Sequence, residues 1–73
     1  MQNTLSPDKW ITNYADYLFS YAIYRINDRE QAEDLVQETF LSAYKSREQY
    51  QGNANEKTWL TSILKNKIKG KEY

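Results

Sequence analysis

The residues of this chain most able to do chemistry are carboxylates crowded into one short segment. Residues 27–38 hold five acidic side chains and one arginine, so the segment carries a net charge of minus four. Carboxylates can bind a divalent cation or meet a basic partner. On a single convex helix they cannot supply the roughly six to eight converging oxygens that Ca²⁺ prefers, so we expect no metal site. The five acids are Asp28, Glu30, Glu33, Asp34 and Glu38.

Composition argues against several classes of protein. The chain has no histidine and no cysteine, which removes the commonest general base, thiolate metal sites and disulfides. A glycine-rich phosphate loop is also missing, so we expect neither catalysis nor a cofactor. No apolar run approaches the roughly 20 residues of a membrane span, and the N-terminus lacks the pattern of a signal peptide. We therefore expect no membrane insertion and a cytoplasmic location.

A second charged segment has the opposite sign. Residues 57–73 hold five lysines and one glutamate, a net charge of plus four, although the whole chain is neutral. Lysines can hold phosphates with an affinity that weakens in salt, and the amide of Asn66 can read the edge of a base. Both segments also fit solvated surfaces that complement helix dipoles, so that alternative stays open. Separated blocks of opposite sign suggest two partners, or one partner with two kinds of surface.

Three helices are predicted to position these segments. Apolar residues recur at helical spacing over about residues 7–26, 29–47 and 54–69, with no strand signal and with room for a short extra turn before the first helix. In the second helix the apolar stripe between residues 32 and 44 takes one face, so the acids look outward. A chain of 73 residues holds one domain with a small core. We expect a small all-α three-helix bundle.

Local signals mark the ends of these helices. Ser6 is expected to cap the first helix ahead of Pro7, and Asp28 is expected to cap the second. The third helix follows a polar loop over residues 48–55. Asn53, which fits a capping box with Glu56, and Asn55 compete to cap this helix. The helix is expected to end at Gly70.

Aromatic residues are frequent, with seven tyrosines, two tryptophans and two phenylalanines. Most lie on the apolar stripes and are expected in the core. Tyr50 lies instead on the loop, where an unstacked base can be held by stacking and hydrogen bonds. The stripe of the first helix is expected to include Ile11, Tyr21 and Arg25, and to be widened by Tyr17 and Tyr24.

Three segments resemble a known family. They read YADYLFSYA at residues 14–22, AEDLVQETFL at residues 32–41 and TWLTSILKN at residues 58–66. In this order and spacing they resemble region 2 of bacterial RNA polymerase sigma factors of the extracytoplasmic-function (ECF) type, over about residues 10–69. The resemblance implies a small helical bundle that binds core RNA polymerase and the minus-ten promoter element in transcription initiation. It also implies an anti-sigma factor as a partner.

The resemblance further implies which residues meet each partner. In the family, the acidic helix docks on the clamp helices of the polymerase beta-prime subunit, and the matching positions here are Asp34, Gln37 and Glu38, with Glu33 beside them. The loop before the last helix holds a base flipped from the non-template strand of the minus-ten element, and the last helix lies along that strand. The corresponding DNA-binding residues are Gln51, Asn53, Asn55, Lys57, Lys65, Asn66 and Lys69.

The chain departs from the family pattern in two ways. Family members commonly carry Asp four residues and Arg seven residues after the asparagine, where this chain has Gly70 and Tyr73. The helix-turn-helix domain that reads the minus-thirty-five element is not in the sequence, so we expect an excised domain over residues 1–73. The competing hypothesis is a sigma-like protein-interaction module that binds a regulator or polymerase without productive DNA binding. Salt-dependent binding to single-stranded DNA separates the two hypotheses.

Overall fold

The computed structural model describes residues 5–52 and 54–71. Helix α1 spans Trp10–Ile26, α2 spans Arg29–Lys45 and α3 spans Glu56–Lys71, with 3₁₀ turns at Pro7–Lys9 and Arg47–Gln49. These described ranges contain no strand. The expected all-α three-helix bundle is therefore confirmed, with a short extra turn before the first helix.

The connection between α1 and α2 follows the local signals in the sequence. The carboxylate of Asp28 accepts a hydrogen bond of 3.1 Å from the backbone N–H of Gln31, so Asp28 caps α2 as expected. Asn27 closes α1 with a left-handed backbone (φ 60°), and its N–H donates to the carbonyl of Ile23. Asparagine tolerates this conformation better than most residues. The two helices therefore form a hairpin with a two-residue connection.

The start of α1 and the end of α2 differ from the expected positions. The side chain of Ser6 makes no capping hydrogen bond. Its backbone carbonyl instead accepts the N–H of Lys9 at 2.9 Å, which closes the 3₁₀ turn. Helix α2 ends at Lys45, two residues before the predicted end. There the hydroxyl of Ser46 donates to the carbonyl of Ser42 at 2.8 Å and satisfies one of the last helical acceptors.

Helix α3 is capped by the second of the two competing asparagines. The Oδ1 of Asn55 accepts the N–H of Thr58 at 2.8 Å, whereas Asn53 lies outside the described residues. Gly70 does not end the helix, which continues to Lys71. A glycine costs only about 1 kcal/mol inside a helix, which is too little to stop it without a left-handed residue or a competing cap.

The core takes one stripe from each helix. Four leucines are fully buried: Leu18 from α1, Leu35 from α2, and Leu60 and Leu64 from α3. Burying each such side chain contributes about 1.5–3 kcal/mol. The one buried polar side chain in the described ranges, Thr39, donates its hydroxyl to the carbonyl of Leu35 at 2.7 Å, so its burial leaves no unpaired group. Smaller or more peripheral side chains complete the core: Trp10, Ala22, Ala32, Val36, Ala43 and Ile68.

Four aromatic rings form a cluster where the start of α1 meets α2 and the loop before α3. The ring of Trp10 stacks on Phe40 with centroids 6.3 Å apart and lies 6.1 Å from Trp59. Trp59 in turn lies 5.0 Å from Tyr50. Aromatic pairs at these distances add about 0.5–1.5 kcal/mol each beyond the area they bury. The cluster therefore holds the loop against the bundle.

A carboxylate at the start of α3 ties this cluster to the N-terminal turn. Glu56 Oε2 accepts the Nε1–H of Trp10 at 2.6 Å and the backbone N–H of Ser6 at 2.7 Å, and Oε1 accepts the hydroxyl of Tyr14 at 3.2 Å. Burial raises the pKa of Tyr14, and the charge and hydrogen bond of Glu56 raise it further. Glu56 therefore faces α1, whereas a capping box with Asn53 would have turned it back toward the loop.

Some residues expected on core stripes lie on the surface. Ile11 is 69% exposed, Tyr24 is 86% exposed and Tyr44 is 50% exposed. In a small bundle each helix buries about one face, and the apolar band of α1 is wider than one face. Within the described ranges, no helix has the length and apolar character needed to cross a membrane.

Candidate functional site

The acidic residues predicted to meet the polymerase lie together on the outer face of α2. Glu33, Asp34, Gln37 and Glu38 are all exposed, while Leu35 of the same helix is buried in the core. This arrangement follows from the helical period, because the apolar residues at their spacing must face inward. The acidic face is therefore exposed to solvent, while the opposite side of α2 packs in the core.

The acids of this face differ in their surroundings. Glu33 Oε2 lies 3.4 Å from the Nε of Arg29 one turn earlier, a surface pair of low energetic value. Within residues 5–52 and 54–71, neither Asp34 nor Glu38 forms an ion pair. Both line a shallow cavity of about 50 Å³ that Lys71 of α3 also borders. Asp34 and Glu38 are thus the carboxylates of this face left open to a cationic partner.

The predicted DNA-binding residues of α3 line a groove against α1. One cavity of about 350 Å³ is bordered by Lys65, Asn66 and Lys69. A second, of about 540 Å³, is bordered by Asn55, Lys57 and again Lys65, and the two cavities share that lysine. We call the two together the α1–α3 groove. The fold therefore brings five of the seven predicted DNA-binding residues to one surface.

The other two predicted DNA-binding residues belong to the loop before α3. Gln51 is exposed on this loop and does not border the α1–α3 groove. Asn53 lies outside the described residues. Tyr50, which we expected on the loop as a free stacking surface, is half-buried: its hydroxyl donates to the carbonyl of Ala54 and its ring packs on Trp59. Tyr50 therefore belongs to the aromatic cluster that holds the loop in place.

Asn55 has a structural role in addition to any role in DNA binding. Its Oδ1 accepts the N–H of Thr58, and its backbone carbonyl accepts the N–H of Trp59 at 2.9 Å. The side-chain oxygen is thus already engaged in starting α3. Asn55 nevertheless borders the larger cavity of the groove.

The opposite wall of the groove is supplied by α1, and sequence reasoning missed it. Tyr21 borders both cavities, Arg25 borders the smaller and Tyr17 the larger. The guanidinium carbon of Arg25 lies 3.9 Å from the ring centroid of Tyr21, and Lys57 Nζ lies 4.1 Å from that of Tyr17. The spacing of four residues between Tyr21 and Arg25 could have signalled the first pair. The second joins two helices and leaves no local signal.

The arrangement offers cations, amides and aromatic rings to a ligand. The described residues contain no group of three or more acidic side chains placed to hold a metal ion. Lysines along a groove can bind a phosphate backbone, and an asparagine amide can hydrogen-bond a base edge. The exposed acids of α2 form a separate surface that shares no residue with the groove.

Comparison with known proteins assigns the family. The family model described as sigma-70 region 2 matches residues 10–70. The chain is 45% identical over 51 residues to a probable RNA polymerase sigma factor of Haemophilus influenzae, an alignment that covers 70% of this chain and 26% of that protein. It is 36% identical over 52 residues to the ECF RNA polymerase sigma factor SigX of Bacillus subtilis, covering 71% of this chain and 27% of SigX.

The chain thus spans about a quarter of the length of the curated relatives that it matches. No solved structure gives a significant match. The family match covers α1, α2 and α3 as far as Gly70, including the acidic face of α2 and both walls of the α1–α3 groove. The chain therefore belongs to the sigma-70 region 2 family and is of the ECF type.

Proposed function

We propose that this chain is the promoter-recognition module of a sigma factor. It binds core RNA polymerase through the acidic face of α2 and the non-template strand of the minus-ten element through the α1–α3 groove. The observation that carries this proposal is the separation of charge, because exposed acids and a lysine-lined groove occupy different surfaces of one small bundle. Such a module works in the cytoplasm, where core polymerase is found.

The polymerase side of the proposal rests on the open carboxylates. Asp34 and Glu38 are exposed and unpaired within the described ranges, so they can meet the basic clamp helices of the beta-prime subunit without first breaking an ion pair. Gln37 adds a neutral hydrogen-bonding group between them. Glu33 contributes less, because Arg29 already neutralises part of its charge. The same face can be covered by an anti-sigma factor that competes with polymerase.

The DNA side rests on the groove. Lys57, Lys65 and Lys69 supply phosphate contacts, and the amide of Asn66 supplies a base contact. For single-stranded DNA, each phosphate that a lysine neutralises makes the slope of log affinity against log salt about 0.7 more negative. Gln51, Asn53 and Asn55 match the family positions for the flipped base, and of these Asn55 borders the groove.

One experiment with two readouts tests both parts of the proposed function, polymerase binding and DNA binding. Pull-down with a beta-prime clamp-helix fragment measures polymerase binding, and fluorescence anisotropy with a labelled single-stranded minus-ten oligonucleotide measures DNA binding. We expect Asp34→Lys/Glu38→Lys to lose clamp binding and keep DNA binding. We expect Asn66→Ala to do the reverse, with a loss of about five-fold or more in DNA affinity.

The matched control is Glu30→Lys/Glu48→Lys, which changes the net charge equally at exposed acids outside the predicted contact. Clamp binding that survives the reversal of Asp34 and Glu38 would contradict the assignment of the acidic face. If the wild-type chain binds the clamp fragment but no single-stranded DNA at low salt, the promoter-binding half is wrong. The competing hypothesis, a module that binds only a regulator or polymerase, then takes its place.

A further inference from the structure

The ring of Tyr21 with the guanidinium of Arg25 forms a flat surface on the α1 wall of the groove. We propose that this pair is a stacking platform for one unstacked base of the bound single strand. The inference rests on the proposed function, since it assigns part of the same groove to one nucleotide. It adds α1 to the DNA-binding surface, which the resemblance to the family had placed on α3 and the loop.

The geometry of the pair supports a platform. Arg25 follows Tyr21 by one helical turn, and its guanidinium carbon lies 3.9 Å from the ring centroid, in van der Waals contact with the ring face. Arg25 is exposed while Tyr21 is half-buried, so the tyrosine is the base of the stack and the arginine is its outer layer. A guanidinium is planar and stacks with nucleic-acid bases through its face.

The space beside the pair suits a nucleotide. The cavity that Tyr21 and Arg25 border measures about 350 Å³, within the range of about 300–1,000 Å³ typical of small-molecule sites. Its opposite wall carries Lys65, Asn66 and Lys69 from α3. A nucleotide whose base lies on the platform would place the base edge toward the amide of Asn66 and its phosphates toward the two lysines.

Charge favours a nucleic acid over an uncharged ligand. Among residues 5–52 and 54–71, three cations and no acid border this cavity: Arg25, Lys65 and Lys69. The second cation–aromatic pair, Lys57 over Tyr17, lies in the adjoining cavity but ends in an ammonium group. An ammonium is a point charge without a flat face, so that pair suits a phosphate and not a base. The stacking role therefore falls to Tyr21 and Arg25.

Base stacking can be distinguished from simple electrostatic attraction by substitutions that preserve either the positive charge of residue 25 or the aromatic ring of residue 21. Arg25→Lys preserves the positive charge and removes the planar group. Tyr21→Leu removes the ring, whereas Tyr21→Phe keeps it. We expect Arg25→Lys and Tyr21→Leu to lower the affinity of the 73-residue chain for a single-stranded minus-ten oligonucleotide about 5- to 100-fold. Tyr21→Phe should bind like the wild type, and Arg25→Lys should keep the wild-type salt slope.

A matched control lies outside the groove. The guanidinium carbon of Arg47 lies 3.8 Å from the ring centroid of Tyr44, the same kind of stack on another surface. Arg47→Lys should leave DNA affinity unchanged. Circular dichroism and clamp binding confirm that each variant is folded before its DNA affinity is compared.

A series of oligonucleotides, each with one abasic position, locates the stacked base. The wild type should lose affinity at one position, and Arg25→Lys should no longer distinguish that oligonucleotide from the intact one. Equal affinity of Arg25→Lys and wild type for the intact oligonucleotide would overturn the platform. So would an abasic penalty that Arg25→Lys retains in full. Absence of DNA binding by the wild type is a different result, because it removes the proposed function itself.

Discussion

The indole Nε1–H of Trp10 donates a hydrogen bond of 2.6 Å to the carboxylate of Glu56, 46 residues further along the chain. The same carboxylate accepts the backbone N–H of Ser6 and the hydroxyl of Tyr14. Three donors, one preceding the N-terminal 3₁₀ turn and two from the first turns of α1, therefore converge on the first residue of α3. This convergence holds the beginning of α3, and with it Asn55 and the loop, at a defined position beside the groove.

Removing the Glu56 carboxylate should destabilise the chain. Glu56→Ala leaves three donors in a half-buried site without their acceptor, at a cost of about 1–3 kcal/mol in the free energy of unfolding. Glu56→Gln keeps one acceptor oxygen and adds an amide that can donate to the Tyr14 hydroxyl, so its cost should stay below about 1 kcal/mol. Urea denaturation followed by tryptophan fluorescence measures both values.

Glu48→Gln in the exposed 3₁₀ turn controls for loss of an acidic charge elsewhere. Near-equal stability of Glu56→Ala and the wild type would mean that water replaces the three hydrogen bonds without penalty. In that case Glu56 would not position the start of α3.

Tyr14 should make stability fall at alkaline pH. Its pKa is raised above the ordinary value of about 10, first by burial and then by the neighbouring charge of Glu56. The folded chain therefore keeps the phenol proton after the unfolded chain has lost it. This stabilising contribution is complete below about pH 10 and is lost as the pH rises through the folded-state pKa.

Tyr14→Phe removes that titration and should lose less stability than the wild type between about pH 9 and 11, by at most about 1.4 kcal/mol per pH unit. Urea midpoints across this range give the comparison, and the other tyrosines are common to both proteins. Parallel pH profiles would show that Tyr14 titrates alike in the folded and unfolded states.

Replacing Asn55 should separate its capping role from its DNA role. Asn55→Ala removes the hydrogen bond to the N–H of Thr58 and should cost about 1 kcal/mol, whereas Asn55→Ser can still cap. If the Asn55 amide also contacts DNA, the serine variant keeps its melting temperature and loses affinity for the single strand. Wild-type affinity in Asn55→Ser would restrict Asn55 to the cap and remove it from the DNA-binding residues.

Gly70→Ala should stabilise the chain. Gly70 lies inside α3, and no atom lies within 4 Å of the position that an added Cβ would take. Alanine has the higher helix propensity, so we expect a gain of up to about 1 kcal/mol and a rise of a few degrees in melting temperature. Gly52→Ala is the opposite control, because Gly52 has a φ of 79° that alanine adopts only under strain. A lower melting temperature for Gly70→Ala would mean that α3 does not extend past this residue.

Local patterns predicted α2 better than any other part of the molecule. Its N-cap at Asp28, its buried stripe and its exposed acidic face all follow from residues within two turns of each other. The start of α3 was harder to predict, because Asn53 fits a capping box with Glu56 while Asn55 is a competing cap. The choice between them depends on Glu56, whose side chain is drawn toward Trp10 and Tyr14 instead of back to the loop.

The sequence by itself determined the three helices, the outward acidic face and the membership in the sigma-70 region 2 family, because helical period, caps and motifs are local properties. Only the tertiary structure decided that Tyr21 and Arg25 line the groove, and that Lys57 reaches from α3 to cover the ring of Tyr17. Which side of a wide apolar band is buried depends on how neighbouring helices pack against it. That packing is set by contacts between residues far apart in the chain, which no local pattern encodes.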